Sequence, residues 1–295
     1  MGAATHIKTS MTDKQFLERE ISEWMASPER KMQFDAVRYY NGDHDILWRK
    51  RMVIVEGGKL EENENLVNNK IVDNQFGRAV DKKLNYFCGL PFTFDTENKA
   101  YGKALNEYFT PKRRNLIRNA AKKAILGGKA WVFPYCSFDG KKNKLDFLVY
   151  SAESVLPFWA DEDHTILDCA VHMYPIVVYG ENGKKEVVFK VDVIHGGGIE
   201  RCIWKDDSLV KDPDSPSGDY TSVKDPDTGE VKTFNWVQIP FICFKSNSNE
   251  TPLLKKVKCL QDALNTLKSN LMNAMEENVH NTVLVIHNFD GTNLG

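Results

Sequence analysis

The sequence predicts an α+β fold, with helices first, strands in the middle and one long helix near the end. Two observations support this prediction. Apolar residues recur at helical spacing up to Gly127-Gly128, and from Ala130 they alternate as in strands. From residue 251 to residue 280 the helical period returns without interruption.

Five helices are predicted before the strands, and their ends carry recognisable signals. Pro28 and Pro111 suit first helical positions, and Gly42, Gly89 and Gly127 suit helix ends. The predicted helices cover residues 12–25, 28–41, 73–88, 98–109 and 111–127. Inward faces are predicted for the first two: Leu17, Ile21 and Trp24, then Met32, Ala36 and Tyr39. Residues 56–69 are predicted to form a polar, mobile loop, and residues 92–94 a short strand.

The middle of the chain is predicted to be a series of strands. Asp139-Gly140 indicates a hairpin turn between residues 131–138 and 145–150, and residues 181–183 a second turn. Residues 205–232 are rich in Pro, Asp, Ser and Gly, which predicts a peripheral loop. Further strands are predicted at 166–174, 176–179, 187–194, 199–204, 237–244 and 282–287.

The long helix at residues 251–280 has a narrow apolar seam. Thr251 is predicted to cap it and Pro252 to occupy its first position. The seam alternates by four and three residues: Leu253, Val257, Leu260, Leu264, Leu267, Leu271 and Ala274. This spacing predicts packing on other helices along a rod about 45 Å long. The chain provides no later helix for the seam, so we expect an assembly component before an enzyme.

Composition excludes some function classes. The net charge of −2 and pI of about 6.4 mean that nucleic-acid binding would need a local basic patch. Six scattered cysteines without a CxxC pair disfavour a zinc knuckle and suit a reducing compartment. The sequence has no signal peptide and no membrane-length apolar run, and no cofactor is predicted.

Several motifs resemble catalytic or metal sites without completing one. The His195–Gly198 run lacks the nucleophile elbow that esterases need, which favours a turn between strands. The Gly-Lys steps at Lys59 and Lys129 do not fit a Walker A loop, and the second glycine pair is better explained as a helix end. Asp225, Asp227 and Glu230 miss the EF-hand spacing, and the histidines show no metal-binding spacing. We therefore predict neither catalytic nor metal-binding residues.

Two basic features are candidates for binding. Arg114, Arg118 and Lys122 form one stripe on the helix at residues 111–127, which is either a solvated face or a contact for DNA or an acidic subunit. In the long helix, early lysines and the late Glu276 and Glu277 oppose the helix dipole. The early lysines are Lys255, Lys256 and Lys258. Either a neighbouring subunit or a polyanion compensates their charge, or they are ordinary surface charge.

Taken in order, several segments resemble the portal protein family of tailed bacteriophages, of the siphophage type. Residues 39–46 (YYNGDHDI) with Arg49 resemble its N-terminal motif, and residues 68–72 (NNKIV) with 86–91 (YFCGLP) its next block. Residues 152–159 (AESVLPFW) with 170–174 are similar to a third block. The last block resembles the segment of the family that leads into its stem and clip. It comprises residues 239–241, Asn247, Asn249, the long helix with Ser269, and residues 283–285.

The resemblance implies a portal-protein fold, in which a mixed helical and β wing precedes a stem helix and a clip. It assigns residues 1–26 to a tail and first helix, and residues 27–238 to the wing, with helices at 27–127 and the β-rich part at 130–238. Residues 239–280 become a linker strand and the stem helix, and residues 281–295 the start of the clip. On the stem helix, the resemblance implies that the following lysines face DNA or an adjacent subunit: Lys255, Lys256, Lys258 and Lys268. Members of the family continue with a second stem helix, a channel loop and a crown, so we expect this chain to lack that C-terminal part.

The implied function is structural. Portal proteins form a ring, usually of twelve copies, at one capsid vertex, through which DNA is packaged and ejected. The implied partners are other copies of the chain, double-stranded DNA without sequence preference, the terminase large subunit, major capsid and scaffolding proteins, and a head–tail adaptor. The ring would be assembled in the host cytoplasm and belong to the virion, with no membrane contact.

Two alternatives remain open at this point. One is a cytosolic α+β enzyme whose catalytic groups come together only in space. The other is a non-viral protein that dimerises through the long helix. A homogeneous monomer would favour the first, and a two-copy stoichiometry would favour the second.

Overall fold

A computed structural model describes residues 14–179 and 183–280. Several predictions lie outside these residues: the N-terminal tail, the first residues of the turn at 181–183, the strand at 282–287 and the start of the clip at 281–295. The described chain forms two compact units. The larger contains the residues up to Val37 and Arg78–Lys256, and the smaller contains Arg38–Gly77 and the chain from Val257 onward.

Six α-helices are present in the described residues, and most lie where the sequence predicts them. Ser27, Asn98 and Thr110 accept hydrogen bonds from the first turns of the helices that follow them, and Gly128, with a φ of +86°, ends the helix that Thr110 caps. The helices are α1 (Lys14–Ala26), α2 (Pro28–Tyr40), α3 (Gln75–Cys88), α4 (Lys99–Tyr108), α5 (Pro111–Gly127) and α6 (Leu253–His280).

Strands form two larger antiparallel sheets in the larger unit. The first has the order β12-β3-β4, and α5 packs on it. The second is a meander in the order β5-β6-β7-β8-β9. The strands are β3 (Lys129–Phe138), β4 (Asn143–Ser151), β5 (Val155–Trp159), β6 (Leu167–Tyr179), β7 (Lys185–His195), β8 (Gly198–Lys205), β9 (Ser208–Lys211) and β12 (Ile242–Lys245).

The two faces of the five-stranded sheet carry two cores, because successive residues of a strand point to opposite sides. On one face Val171 and Val191 pack with Leu17 and Ile21 of α1. On the other face Ala170 packs with Trp131, which is fully buried. The predicted inward residues of α1 are therefore confirmed, and this sheet joins the helical and strand-rich parts of the larger unit.

Two small hairpins complete the strand list. β1 (Met52–Ile54) pairs with β2 (Leu60–Glu62) in the smaller unit, and β10 (Thr221–Lys224) pairs with β11 (Val231–Phe234) in the larger. Gly57 and Gly58 have positive φ angles in the first turn. In the second turn the Asp225 side chain accepts backbone hydrogen bonds from Asp227 and Thr228.

Several predictions of local structure were wrong. Residues 56–69 are not simply a loop, because they contain β2, and residues 205–232 contain β9 and β10 and the start of β11. Residues 92–94 form no strand, and the strand predicted at 237–244 is confined to Ile242–Lys245. β5 was not predicted as a strand. β12 pairs with the distant β3, and the local pattern cannot reveal such pairing. β2, β9, β10 and β11 instead pair across short hairpin turns, which the polar composition of these residues concealed.

The start of α6 also differs from the prediction. Thr251 does not stand at the cap position, which belongs to Pro252 because the helix begins at Leu253. The Thr251 hydroxyl donates to the Asn247 side chain at 3.4 Å, and its backbone N–H and C=O bond to the same side chain at 3.2 and 2.8 Å. Leu253, one residue later than expected, is the first helical residue. Within the described residues, no helix combines the length and apolar character needed to cross a membrane.

Candidate functional site

The candidate site is α6, whose inner face is polar. Four buried side chains recur at intervals of four residues: Gln261, Asn265, Ser269 and Asn273. They accept backbone N–H bonds from Phe76, Asp73, Ile71 and Asn69, at 2.9, 3.0, 2.9 and 2.7 Å in that order. Four helical residues rise about 6 Å, close to the length of two extended residues. Successive side chains of the helix therefore reach every second N–H, those of residues 69, 71 and 73, and Gln261 reaches Phe76.

His44 extends this polar network and is fixed as a neutral tautomer. The buried ring stacks on Tyr39, with 4.4 Å between centroids. Its Nε2 lies 2.9 Å from the Tyr39 carbonyl oxygen, which can only accept, so Nε2 donates. Its Nδ1 lies 2.8 Å from the amide nitrogen of Asn265, which can only donate, so Nδ1 accepts. The orientation of the Asn265 amide follows from the Asp73 N–H, which can only donate and therefore bonds to the amide oxygen of Asn265. The amide nitrogen of Asn265 then faces His44.

Two of the four candidate lysines on α6 are paired within the smaller unit. Lys258 bonds to Asp45 at 2.6 Å and to Asp262 at 2.8 Å, and its ammonium lies 4.8 Å from the centre of the Tyr39 ring. Burial alone lowers the pKa of Lys258, but these carboxylates outweigh burial and raise it. Lys268 donates to Asp73. Lys255 and Lys256 are exposed.

The outer face of α6 is apolar and exposed. Leu260, Leu267 and Leu271 of the predicted seam are 69%, 65% and 58% exposed, while Val257 and Leu264 are half-buried. From residue 259 to residue 275 the exposed positions carry no charge: Cys259, Leu260, Ala263, Thr266, Leu267, Asn270, Leu271, Met272, Ala274 and Met275. The helix is therefore polar towards its own unit and apolar towards solvent, the reverse of an ordinary surface helix.

The predicted basic stripe lies on α5, where it is partly engaged by the larger unit. Arg118 donates to the Asn85 side chain at 2.7 Å, and Arg114 and Lys122 are half-buried. Other cations of α5 bond to β4: Lys112 to Asp146, Arg113 to the carbonyl of Leu145 and Lys123 to that of Val149, at 2.7, 2.9 and 2.8 Å. Much of this charge holds α5 on its sheet instead of standing free in solvent.

The incomplete motifs named in the sequence analysis lie in turns and at a helix end. The glycines after His195 form the turn between β7 and β8, in which His195 pairs with Gly198. Among the described residues, no group of three or more His, Cys, Asp or Glu side chains is arranged to hold a metal ion. The buried polar face of α6 was not predicted. We call it the polar ladder, and its members recur every four residues in the sequence: Gln261, Asn265, Ser269 and Asn273.

Comparison with known proteins agrees with the resemblance of the motifs. The profile of the family described as phage portal protein, SPP1 Gp6-like, matches residues 29–295. The portal protein of Bacillus phage SPP1 is 23% identical over 259 residues, which make up 87% of this chain and 49% of that relative. The chain thus spans about half the length of this curated relative. The resemblance predicted from the sequence is confirmed, and the chain belongs to the SPP1 Gp6-like family of phage portal proteins.

Proposed function

We propose that this chain is a subunit of a ring of about a dozen copies at one vertex of a phage capsid. Double-stranded DNA would enter through the ring during packaging and leave through it at ejection. In this proposal α6 is a stem helix, the larger unit contributes the wing, and residues 281–295 begin the clip. The ring would be part of the virion after assembly in the host cytoplasm.

The outer face of α6 is the observation that carries this proposal. Burial of a leucine side chain contributes about 1.5–3 kcal/mol, so an uncharged stripe of this length favours association. Its inner face is already filled by residues 69–76, which leaves only the outer face for a neighbour. Side-by-side packing of identical stem helices would bury this face in every subunit of a closed ring.

Portal proteins are structural components and not enzymes, and no catalytic residues are assigned. This removes the cytosolic enzyme as an alternative. The proposed partners are other copies of the chain, DNA bound without sequence preference, the terminase large subunit and a head–tail adaptor. Major capsid and scaffolding proteins would surround the ring at the vertex.

The test is native mass spectrometry with negative-stain electron microscopy. Both are applied to this chain and, in parallel, to the complete translation product of its gene. Rings of about a dozen copies are expected in at least one sample. Monomers in both samples at all concentrations would contradict the proposal, and dimers in both would favour the protein that dimerises through its long helix.

A single substitution tests the outer face of α6. Leu267→Asp places a charge in the middle of the apolar stripe and is expected to prevent ring formation without unfolding the chain, since Leu267 is 65% exposed. The matched control is Val237→Asp, the same kind of change at a fully exposed position away from the helix. If Leu267→Asp assembled as well as the control, this face would not be an interface.

A further inference from the structure

Positive charge is concentrated in one helical segment of the larger unit. Residues 78–123 contain eleven Lys and Arg against four Asp and Glu, although the whole chain has a net charge of −2. We call this segment the basic lobe; it contains most of α3, all of α4 and most of α5. Its exposed cations include Arg78, Lys82, Lys83, Lys99 and Lys103.

The surface of the basic lobe also exposes large apolar side chains. Tyr86 is 95% exposed, Leu90 84%, and Phe87 and Tyr101 57% each. α4 buries none of its residues. Exposed tyrosines beside cations are typical of the contact surfaces between proteins.

A second segment of the larger unit has the opposite charge. Residues 206–230 contain eight Asp and Glu against two lysines. We call it the acidic segment, and its exposed carboxylates include Asp206, Asp207, Asp214, Asp219, Asp227 and Glu230. Asp212 is the exception, since it is buried in an ion pair with Lys190 at 2.7 Å.

The backbone of the acidic segment is held in place at several points. Asp206 and Asp207, with φ angles of +49° and +56°, form the tight turn between β8 and β9. Gly218 exchanges backbone hydrogen bonds of 2.8 and 3.0 Å with Ile199. The carboxylates therefore form a defined surface.

Two cations of the basic lobe pair with carboxylates outside the acidic segment: Lys103 with Glu107 at 3.9 Å and Lys112 with Asp146 at 2.7 Å. We infer that the basic lobe of one copy docks on the acidic segment of the next copy around the ring. A ring contact joins two different surfaces of identical chains, so it requires two complementary patches on one chain. This inference rests on the proposed function and adds a second, electrostatic contact to the α6 face.

A second copy explains more of the charge pattern than DNA does. DNA could bind the basic lobe, but it would not explain why the acidic segment carries the opposite charge. Complementary charge also selects the arrangement, because lobe against lobe or segment against segment would be repelled. Head-to-tail association is the arrangement that brings unlike charges together in every contact.

Reversing the charge of each surface in turn tests the contact. One variant carries Arg78→Glu, Lys82→Glu, Lys83→Glu, Lys99→Glu and Lys103→Glu, which changes the net charge of the basic lobe from +7 to −3. The other carries Asp214→Lys, Asp219→Lys, Asp227→Lys and Glu230→Lys, which changes the net charge of the acidic segment from −6 to +2. Each variant alone is expected to need about tenfold or more protein for half-assembly, because its own lobe and segment then carry like charges. Lys141→Glu with Lys142→Glu, in the exposed turn between β3 and β4, is the matched control.

An equal mixture of the two variants provides the decisive measurement. Every contact between unlike copies is complementary again, so the mixture should assemble near the wild-type concentration into rings that alternate the variants. Native mass spectrometry counts both species in each ring. Raising the salt from about 0.1 M to about 1 M shortens the Debye length from about 10 to about 3 Å and should weaken wild-type assembly.

The outcomes separate this inference from the proposed function. Normal assembly by either variant alone, or no recovery in the mixture, would overturn the lobe–segment contact and leave the ring standing. A wild-type chain and complete gene product that never assemble would overturn both. Normal assembly with a loss of duplex affinity in the lobe variant, measured by fluorescence anisotropy, would identify the lobe as a DNA surface and overturn the contact.

Discussion

At the scale of single residues, Asn265 connects the buried hydrogen-bond network of the smaller unit. Its amide oxygen accepts from the N–H of Asp73 and from the side chain of Gln261, and its amide nitrogen donates to His44. The residue is fully buried, so each of these partners depends on it in place of water. One side chain thereby fixes both a backbone segment and the tautomer of a histidine.

Asn265→Ala is expected to destabilise the chain by about 3 kcal/mol, because it leaves buried polar groups without partners. Urea denaturation followed by circular dichroism measures the change. Thr266→Ala, at the adjacent exposed position, is the control and should change the free energy of unfolding by about 0.5 kcal/mol or less. Equal effects of the two variants would mean that the polar ladder does not hold residues 69–76.

At the scale of elements, the residue that leads into α6 ties it to two strands. Glu250 is 10% exposed and bonds to Lys129 at the start of β3, Lys245 at the end of β12, and His164, at 2.6, 3.0 and 2.8 Å. Burial alone raises the pKa of Glu250, but these hydrogen bonds outweigh burial and lower it from 4.5 to about 2. The carboxylate thus stabilises the folded state in its ionised form.

Glu250→Gln keeps the shape and removes the charge, and it is expected to cost about 3 kcal/mol at pH 7. Because the folded pKa lies below the unfolded one, the contribution is complete above about pH 4.5 and is lost as the pH falls towards 2. Urea denaturation at pH 7, 5 and 3 should therefore show a difference from wild type that shrinks at pH 3. A difference that stays constant would show that the charge of Glu250 is not responsible.

Gly128 packs closely on the backbone of Glu250, so a substitution there tests the importance of this contact independently of the charge of Glu250. A Cβ built on Gly128 would lie 2.0 Å from the carbonyl oxygen of Glu250, and its φ of +86° disfavours other residues. Gly128→Ala is expected to cost about 3 kcal/mol or more, from overlap and backbone strain together. Gly140→Ala is the control, with a φ of +91° and open space around it, so it carries the strain without the overlap. Thermal denaturation should rank Gly128→Ala clearly below Gly140→Ala.

At the scale of the whole molecule, charge is distributed very unevenly along a nearly neutral chain. The basic lobe and the acidic segment belong to the larger unit, and the uncharged outer face of α6 to the smaller. With Lys258 and Lys268 engaged by aspartates, Lys255 and Lys256 are the candidates that remain exposed for DNA or an adjacent subunit. Their role stays a prediction.

Lys255→Glu with Lys256→Glu is expected to weaken binding of the assembled protein to duplex DNA and to reduce the slope of log affinity against log salt. Each phosphate contact contributes about 0.9 to that slope, so the loss of two lysines per subunit should lower it by about 2 for each subunit that contacts the duplex. Fluorescence anisotropy with a labelled duplex of arbitrary sequence, at several salt concentrations, measures both quantities. An unchanged slope with normal assembly would assign these lysines to a role other than DNA contact.

The sequence by itself determined the α+β class, most helix bounds, the central strands and the portal family. Helix ends such as Pro111 and Gly127, the hairpin at Asp139-Gly140 and the period of α6 depend on a few neighbouring residues, so the local pattern is enough to predict them. The short motifs also kept their order along the chain, which indicated the family before any geometry was known.

Only the tertiary structure decided which face of α6 is buried and which cations are engaged. The seam predicted packing on other helices but gave no indication of a second, polar face. That face is buried because residues 69–76, about two hundred positions earlier, provide N–H groups whose bonds only polar side chains can accept. Lys258 and Arg118 likewise meet their partners through long-range packing. The sequence fixes periodicity, which is local, whereas burial and pairing depend on segments that are brought together by folding.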